Sequence, residues 1–507
     1  MVSFSRNIIR FILIASYVII IALIISGISV LFGYLNTGAD RSTMLNTEVK
    51  RIEQYLPKIE WSSLTNEGRP MDSENLKNIE NDYLNAWYIQ HIAFNTNSTK
   101  GINDYYTDNA RINLFNLIEL NKTEGVYIES TTLEHHPNLE FFSEDGQLAV
   151  ITDKDVIEYK RVFKNNTLVL ETTEVSTYKI ILLLEDDFWR IRHKIKIETK
   201  DLKNTNNNII TSNNLNIKGI NYYPQTTPWD MFGNAFSKDT IIKDFKIIKN
   251  SGLNTVRIFV QYEDFGKAKI NQDKIDKLIQ VLDAAEANNL GVIVTLFDFY
   301  GDYSVINYTL NMRHAETIIS SLKNHDALIA WDVKNEPNLD FKSRGQKKVI
   351  AWLDNIITLI KATDKAHPVT IGWSNPESAI ILSDKVDFVS FHYYEDLDDL
   401  DASIETLQLD IPNKSIVMGE FGLSSYNGLW NPFGSSEEDQ ANYHKRAQKI
   451  IAEHNLQYVS WTLYDFVNIP KEVVGKLPWK KNVQKQFGFI NKKGEKKSAF
   501  KYITTQQ

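Results

Sequence analysis

At 507 residues the chain exceeds one ordinary core, and a prior of ~100–200 residues per domain implies two to four units. Its 64 acids against 56 bases leave a formal net charge of -8 with no long basic run, which argues against nucleic-acid binding. Cysteine is absent, which excludes disulfides, thiolate catalysis and zinc–sulfur sites, while 11% aromatic residues suit both core packing and sugar stacking.

Residues 11–32 carry no charge, and at ~1.5 Å per residue such a helix crosses a ~30 Å hydrocarbon core. A cleavable signal has a shorter apolar region, ~7–15 residues, followed by a small-residue cleavage site, and no such site is clear here. The run is therefore predicted to be an uncleaved single-pass transmembrane anchor. Arg6 and Arg10 precede it, so residues 1–36 are read as cytoplasmic tip and anchor. The remainder is then extracytoplasmic, either periplasmic or extracellular.

Residues 37–72 read as a stalk, with Leu45, Val49, Ile52, Tyr55 and Leu56 at helical spacing. From 73 to 199 helical patterns around Leu84, Trp87 and Ile92, then around Ile112, give way to strand-like runs, the signature of an α+β domain. In its last strand Trp189, Ile191, His193, Ile195 and Ile197 alternate with Arg190, Arg192, Lys194 and Lys196, which predicts one apolar and one basic face. Helices followed by long hairpins and a strand reading DDFWRIRHKIKI make this unit similar to the cone-shaped nuclear-transport-factor-two-like (SnoaL-like) fold. Members of that fold include enzymes as well as protein-binding and spacing modules, and of these a spacer, or a surface for a protein partner or self-association, is the role expected for this unit. His135 and His136 are adjacent, so on a strand they face opposite ways and make a poor metal pair. Asn-rich residues 200–216 read as a linker.

Beyond 217 short strand-like runs alternate with helical patterns, which implies parallel strands. Eight such runs begin near Ile217, Asn254, Gly291, Ala327, Val369, Val386, Ser415 and Tyr458, the number that closes a (β/α)8 TIM barrel over residues 217–507. The fold class is thus α/β: this barrel, preceded by the smaller cone-shaped domain and one transmembrane helix. Polar groups stand at the C-terminal ends of the runs: Arg257, Asp298, Asn335, Glu336, His392 and Glu420, with Trp461 beside them.

Run four ends in WDVKNEPN and run seven in VMGEFG, and with these motifs the barrel resembles clan A glycoside hydrolases of family five, the cellulase and mannanase family. The resemblance implies Glu336 as acid/base, Glu420 as nucleophile, Asn335 on a sugar 2-hydroxyl and Arg257 near the nucleophile. It further matches His392 and Tyr394 to the family's His-x-Tyr, and Trp461 to the platform beneath the sugar. Retention proceeds by two displacements between carboxyl groups ~5–5.5 Å apart. Arg257 and Tyr394, where they contact Glu420, favour its anion, and that charge is expected to keep Glu336 protonated. Taken alone, Arg257 is also readable as a structural ion pair, His392 as a core histidine and Trp461 as packing. Run three departs from the family in ending Phe297, Asp298, Phe299, where Asp298 either meets a sugar hydroxyl or pairs with a base. Trp229, Tyr222 and Trp430 are either stacking subsites or caps on the core.

The sequence thus predicts a retaining hydrolase of a β-linked poly- or oligosaccharide, β-glucan or β-mannan, with no metal and no organic cofactor. A transglycosylase using the same two Glu residues, and a non-catalytic membrane-anchored polysaccharide-binding scaffold, are the rival readings.

Overall fold

The computed structural model describes residues 55–201, 216–428, 431–474 and 478–504, with helical stretches at 15–17, 19–21 and 23–28. Among the described residues no helix is long and apolar enough to cross a membrane. The predicted anchor is described only in those helical stretches, and the start of the stalk, most of the linker and Trp430 lie outside the described residues.

The first unit is a five-stranded sheet in the order β1 to β5: Lys58–Ile59, Val126–Phe142, Leu148–Lys164, Thr167–Glu185 and Phe188–Asp201. Strands β2 to β5 form an antiparallel meander, and β1 runs parallel to β2. Helices α1 (Ser73–Thr96) and α2 (Asp108–Thr123) precede the meander. The α1 start is set by Asp72, whose side chain accepts from the Asn75 N–H, and its end by Asn97 in the left-handed region. Trp87, Tyr83, Ile151, Leu182 and Trp189 are buried in the core beneath.

Two expectations fail here. The helical stalk does not continue through residues 55–64: Tyr55 is buried in this core and β1 joins the sheet, because the apolar positions that looked amphipathic have a sheet to pack on. The two-faced pattern of β5 also breaks. Leu182 pairs with Ile191 but Ile181 with His193, so Arg192 is an extra residue and the strand turns over. A one-residue slip exchanges the faces. Lys194 therefore lies opposite buried Ile180, while Ile195 and Ile197 are each 59% exposed.

The second unit is a closed barrel of eight parallel strands: β6 Lys218–Asn221, β7 Thr255–Gln261, β8 Gly291–Asp298, β9 Leu328–Asn335, β10 Val369–Trp373, β11 Val389–Tyr393, β12 Ile416–Phe421 and β13 Gln457–Ser460. Its strands read as near-continuous apolar runs because both faces are buried, one against helices and one against the barrel interior. Ile217, Ile293, Ala330, Phe388, Val417 and Val459, in or immediately before β6, β8, β9, β11, β12 and β13, form a separate buried cluster. Helices α3 (Lys238–Asn250), α4 (Gln272–Ala287), α5 (Tyr308–Leu322) and α6 (Gln346–Thr363) follow β6 to β9. The two units touch where Tyr159 of β3 stacks on Tyr308 at the start of α5, with ring centroids 5.4 Å apart, and the Leu56 N–H donates to Thr309.

Candidate active site

The strands of a parallel barrel all end on one rim, which brings together residues distant in sequence. A cleft of about 470 Å³ opens there, and Trp229, Asp298, Asn335, Glu336, Tyr394, Glu420 and Trp461 line it. Arg257 and His392 do not. Both are buried behind the carboxylates, so their geometry is that of groups that hold the site from below rather than touch a sugar.

Glu420 closes β12 and accepts from the Tyr394 hydroxyl at 2.5 Å and from Arg257 Nη1 at 3.5 Å. Glu336 follows β9 in the left-handed region at φ 48°, held by its own N–H to the Gly372 carbonyl at 2.7 Å. A conformation of that kind costs a β-carbon-bearing residue ~1–3 kcal/mol and recurs at functional sites. Trp229 and Phe299, also in the cleft, share it at φ 62° and 57°. His392 Nδ1 donates to Glu336 at 2.9 Å and lies 3.9 Å from Glu420. An oxygen of each glutamate and a ring nitrogen of His392 all lie within 4.8 Å of one another, close enough to meet a cation as well as a substrate.

The electrostatics of the cleft depart from the expected division of labour. Burial raises the Glu420 carboxyl and the neighbouring Glu336 charge adds to this, against the pull of His392, Arg257 and Tyr394. For Glu336 burial acts upward too, but the His392 hydrogen bond and the attraction of His392, Arg257 and Lys334 outweigh it and hold the group below its usual range. Glu336 is therefore the easier of the two to ionise before a sugar arrives. Sequence reasoning weighed Arg257 and Tyr394 on one side and omitted the imidazole on the other.

Several members of the site were missed. Asp332, inward on β9, accepts from Arg257 Nε at 3.0 Å and Nη2 at 2.6 Å, and its other oxygen accepts from the Gly372 N–H at 2.9 Å. Asn221 accepts from Nη1 and Asn335 from Nη2, at 2.9 Å each. Residue 372 has to be glycine for close approach, since a Cβ there would sit 2.7 Å from Arg257 Nη2. The available signal was Asp332 and Lys334, two charges at period two inside an otherwise apolar strand. Phe259, Phe299 and Phe487 complete the aromatic lining. Tyr222, one of the candidate stacking residues, is instead buried with its hydroxyl on Asp244 at 2.8 Å.

Asp298 lines the cleft and accepts from the Tyr223 hydroxyl at 3.3 Å, and burial pushes its carboxyl up to about 7 against the pull of Lys334 and Arg257. The folded chain thus holds this proton more tightly than the unfolded chain. The resulting stability is fully present below the ordinary value of 3.8 and is lost as pH rises through about 7. Between about pH 5 and about pH 8 the Tm of the parent protein should therefore fall relative to that of Asp298→Asn. Parallel Tm profiles for the two proteins would refute this.

Residues 208–467, just over half of the chain, match the cellulase family, glycosyl hydrolase family 5. The β-glucuronidase of Chlorocebus aethiops is 26% identical over 265 residues, covering 48% of this chain and 38% of that protein. Mannan endo-1,4-beta-mannosidase A of Emericella nidulans is 23% identical over 194 residues, 30% of this chain and 50% of that one. The chain thus spans well under two thirds of the length of these relatives. Among solved structures it is similar to an exo-beta-1,4-mannosidase from Opitutaceae bacterium strain TAV5, with 18% identity, a TM-score of 0.47, and 56% of this chain and 58% of that chain covered. The family match spans the strands of the closed barrel from β6 to β13, so the chain belongs to glycosyl hydrolase family 5, and its barrel is a glycosidase domain.

Proposed function

We propose that the barrel is a retaining hydrolase of a β-linked, uncharged glycan, a mannan or a glucan. The observation that carries this reading is the proximity of Glu336 and Glu420, whose closest oxygens lie within 4.8 Å. Inverting enzymes need ~6.5–9.5 Å between carboxyl groups to admit a water, whereas direct attack needs ~5–5.5 Å. In this reading Glu420 attacks the anomeric carbon and Glu336 protonates the departing oxygen. The covalent intermediate then falls to a water that Glu336 deprotonates, and the β configuration is restored. Before the first step the proton shared by the pair has to lie on Glu336. The Tyr394 and Arg257 donors act in this direction but do not outweigh the burial of Glu420 and the His392 hydrogen bond to Glu336, so in this reading sugar binding shifts the proton from Glu420 to Glu336.

The printed names of the curated relatives share a β linkage, which supports that part of the assignment. None of the described residues lining the cleft carries a positive charge, so the cleft offers no partner to a uronic carboxylate and favours a neutral sugar. Trp461, Trp229 and Phe299 supply ring faces for stacking. The same reading tethers the enzyme outside the cytoplasm through residues 11–32, on the strength of that uncharged run alone. The test is proton NMR of the first product formed from manno- and gluco-oligosaccharides. A β-anomer appearing first supports the proposal. An α-anomer, or binding without turnover across both glycan classes, overturns it, and a lengthened product identifies the transferase.

A further inference from the structure

A second cavity, also of about 470 Å³, lies in the first unit between α1, α2 and the inner face of β2 to β5. Its walls are mixed: Trp87, Phe94, Leu114 and Tyr178 present apolar and aromatic surface, and Ser130, Glu158 and Lys160 present polar groups. The slip that turns β5 over brings Lys194 into this lining. Its Nζ lies 3.5 Å from the centre of the Trp87 ring and donates to Gln90 Oε1. The neighbouring lysines are satisfied differently: Lys160 lies 3.2 Å from Glu158 and 2.9 Å from Glu174, and Lys196 lies 2.9 Å from Glu174. Among the described residues no carboxylate stands within 4.0 Å of Lys194 Nζ, and burial pushes this amine down to about 7. Trp87 is 1% exposed, and its indole N–H has no hydrogen-bond partner among the described residues. Glu158 and Asp153 attract this amine only from a distance, and a largely desolvated amine with no direct ion pair is costly, where an apolar side chain would pack the same register position at no such cost.

We propose that this cavity binds a small organic carboxylate with an apolar or aromatic body, its charge paired with Lys194 and its body packed on Trp87 and Tyr178. Trp87, Phe94, Leu114 and Tyr178 offer the body apolar and aromatic contacts, while Lys160 and Lys196 add to the cationic character of the lining. The charged and titratable groups around Lys194 are Glu158, Lys160 and Asp153 on β3, Glu174 on β4, Lys196 on β5 and His91 on α1. A bound carboxylate raises the amine, so above about pH 7 binding takes up a proton and affinity falls by up to ~10-fold per pH unit.

The full chain is titrated calorimetrically with naphthoate, with naphthamide as the uncharged equivalent, and with glucuronate as a hydroxylated sugar acid. We expect saturable naphthoate binding at about pH 6.5, at least ~10-fold tighter than naphthamide, weakening towards about pH 8.5, with little heat from glucuronate. Lys194→Met should retain naphthamide binding and lose the preference for the acid. Lys194→Arg, with a fixed charge, should keep that preference at both pH values. Equal affinity for acid and amide in the parent protein, no saturable heat with naphthoate, or an unchanged preference in Lys194→Met would overturn the proposal. Glucuronate binding tighter than naphthoate would overturn the apolar body. Because the acid-to-amide ratio and its pH dependence are read in the parent protein, poor folding of either variant leaves the test decisive.

Discussion

Replacing Glu420 by alanine lowers kcat on dinitrophenyl β-mannoside or β-cellobioside by on the order of 10⁴-fold or more, because the bond-forming oxygen is gone. The barrel should stay folded. Arg257 keeps Asp332, Asn221 and Asn335, so no cation is stranded, and the carboxylate removed is one that burial penalises. Azide is small enough for the space left by the side chain and attacks from the same face. Turnover should then return with the α-glycosyl azide as product, the anomeric configuration inverted once. Tm, kcat and the anomer of the azide adduct together separate loss of the nucleophile from loss of the fold. Hydrolysis that persists unchanged in Glu420→Ala sinks the assignment.

The second large effect belongs to Glu336→Gln, which keeps the volume and removes the transferable proton. General acid catalysis contributes ~10²–10⁴-fold, and the benefit grows with the basicity of the leaving group. Oligosaccharides should therefore lose the full factor in kcat/KM, while dinitrophenyl glycosides, whose phenolate departs unaided, should lose little. On the latter substrate the covalent intermediate should accumulate, visible as a burst, because no base remains to activate water. Azide should now release the β-glycosyl azide, the opposite anomer from that formed by Glu420→Ala. Equal losses on good and poor leaving groups would show that Glu336 is not the acid. His392, which donates to Glu336 at 2.9 Å, is among the groups that hold this carboxyl below its usual range.

The barrel was legible because each of its strands is buried on both faces and is bounded by polar turns, a pattern that needs no knowledge of any other strand. Glu336 and Glu420 were legible for a related reason: a charge at the end of an apolar strand stands out, and a parallel barrel puts all such ends on one rim. The supports beneath them were not. Arg257 and Asp332 are 75 positions apart and Arg257 and Glu420 are 163 apart, so their contacts follow from closure of the sheet rather than from any local pattern. The same limit applied to the balance of charge, since the field on Glu336 sums over His392, Arg257 and Lys334, and that on Glu420 over His392, Glu336 and Arg257, from different strands.

In the first unit the strands themselves were legible but their faces were not. A period-two pattern assigns sides only while the register holds, and one extra residue at Arg192 exchanges them. The amino-acid sequence by itself therefore determined the alternating architecture of the barrel and the place of Glu336 and Glu420 at strand ends, both of which are written in local pattern. Tertiary structure alone decided which carboxylate holds its proton in the cleft, which residues lock the guanidinium, and that Lys194 joins a cavity lining instead of a solvated face. Each of these depends on groups that only folding brings within a few ångströms.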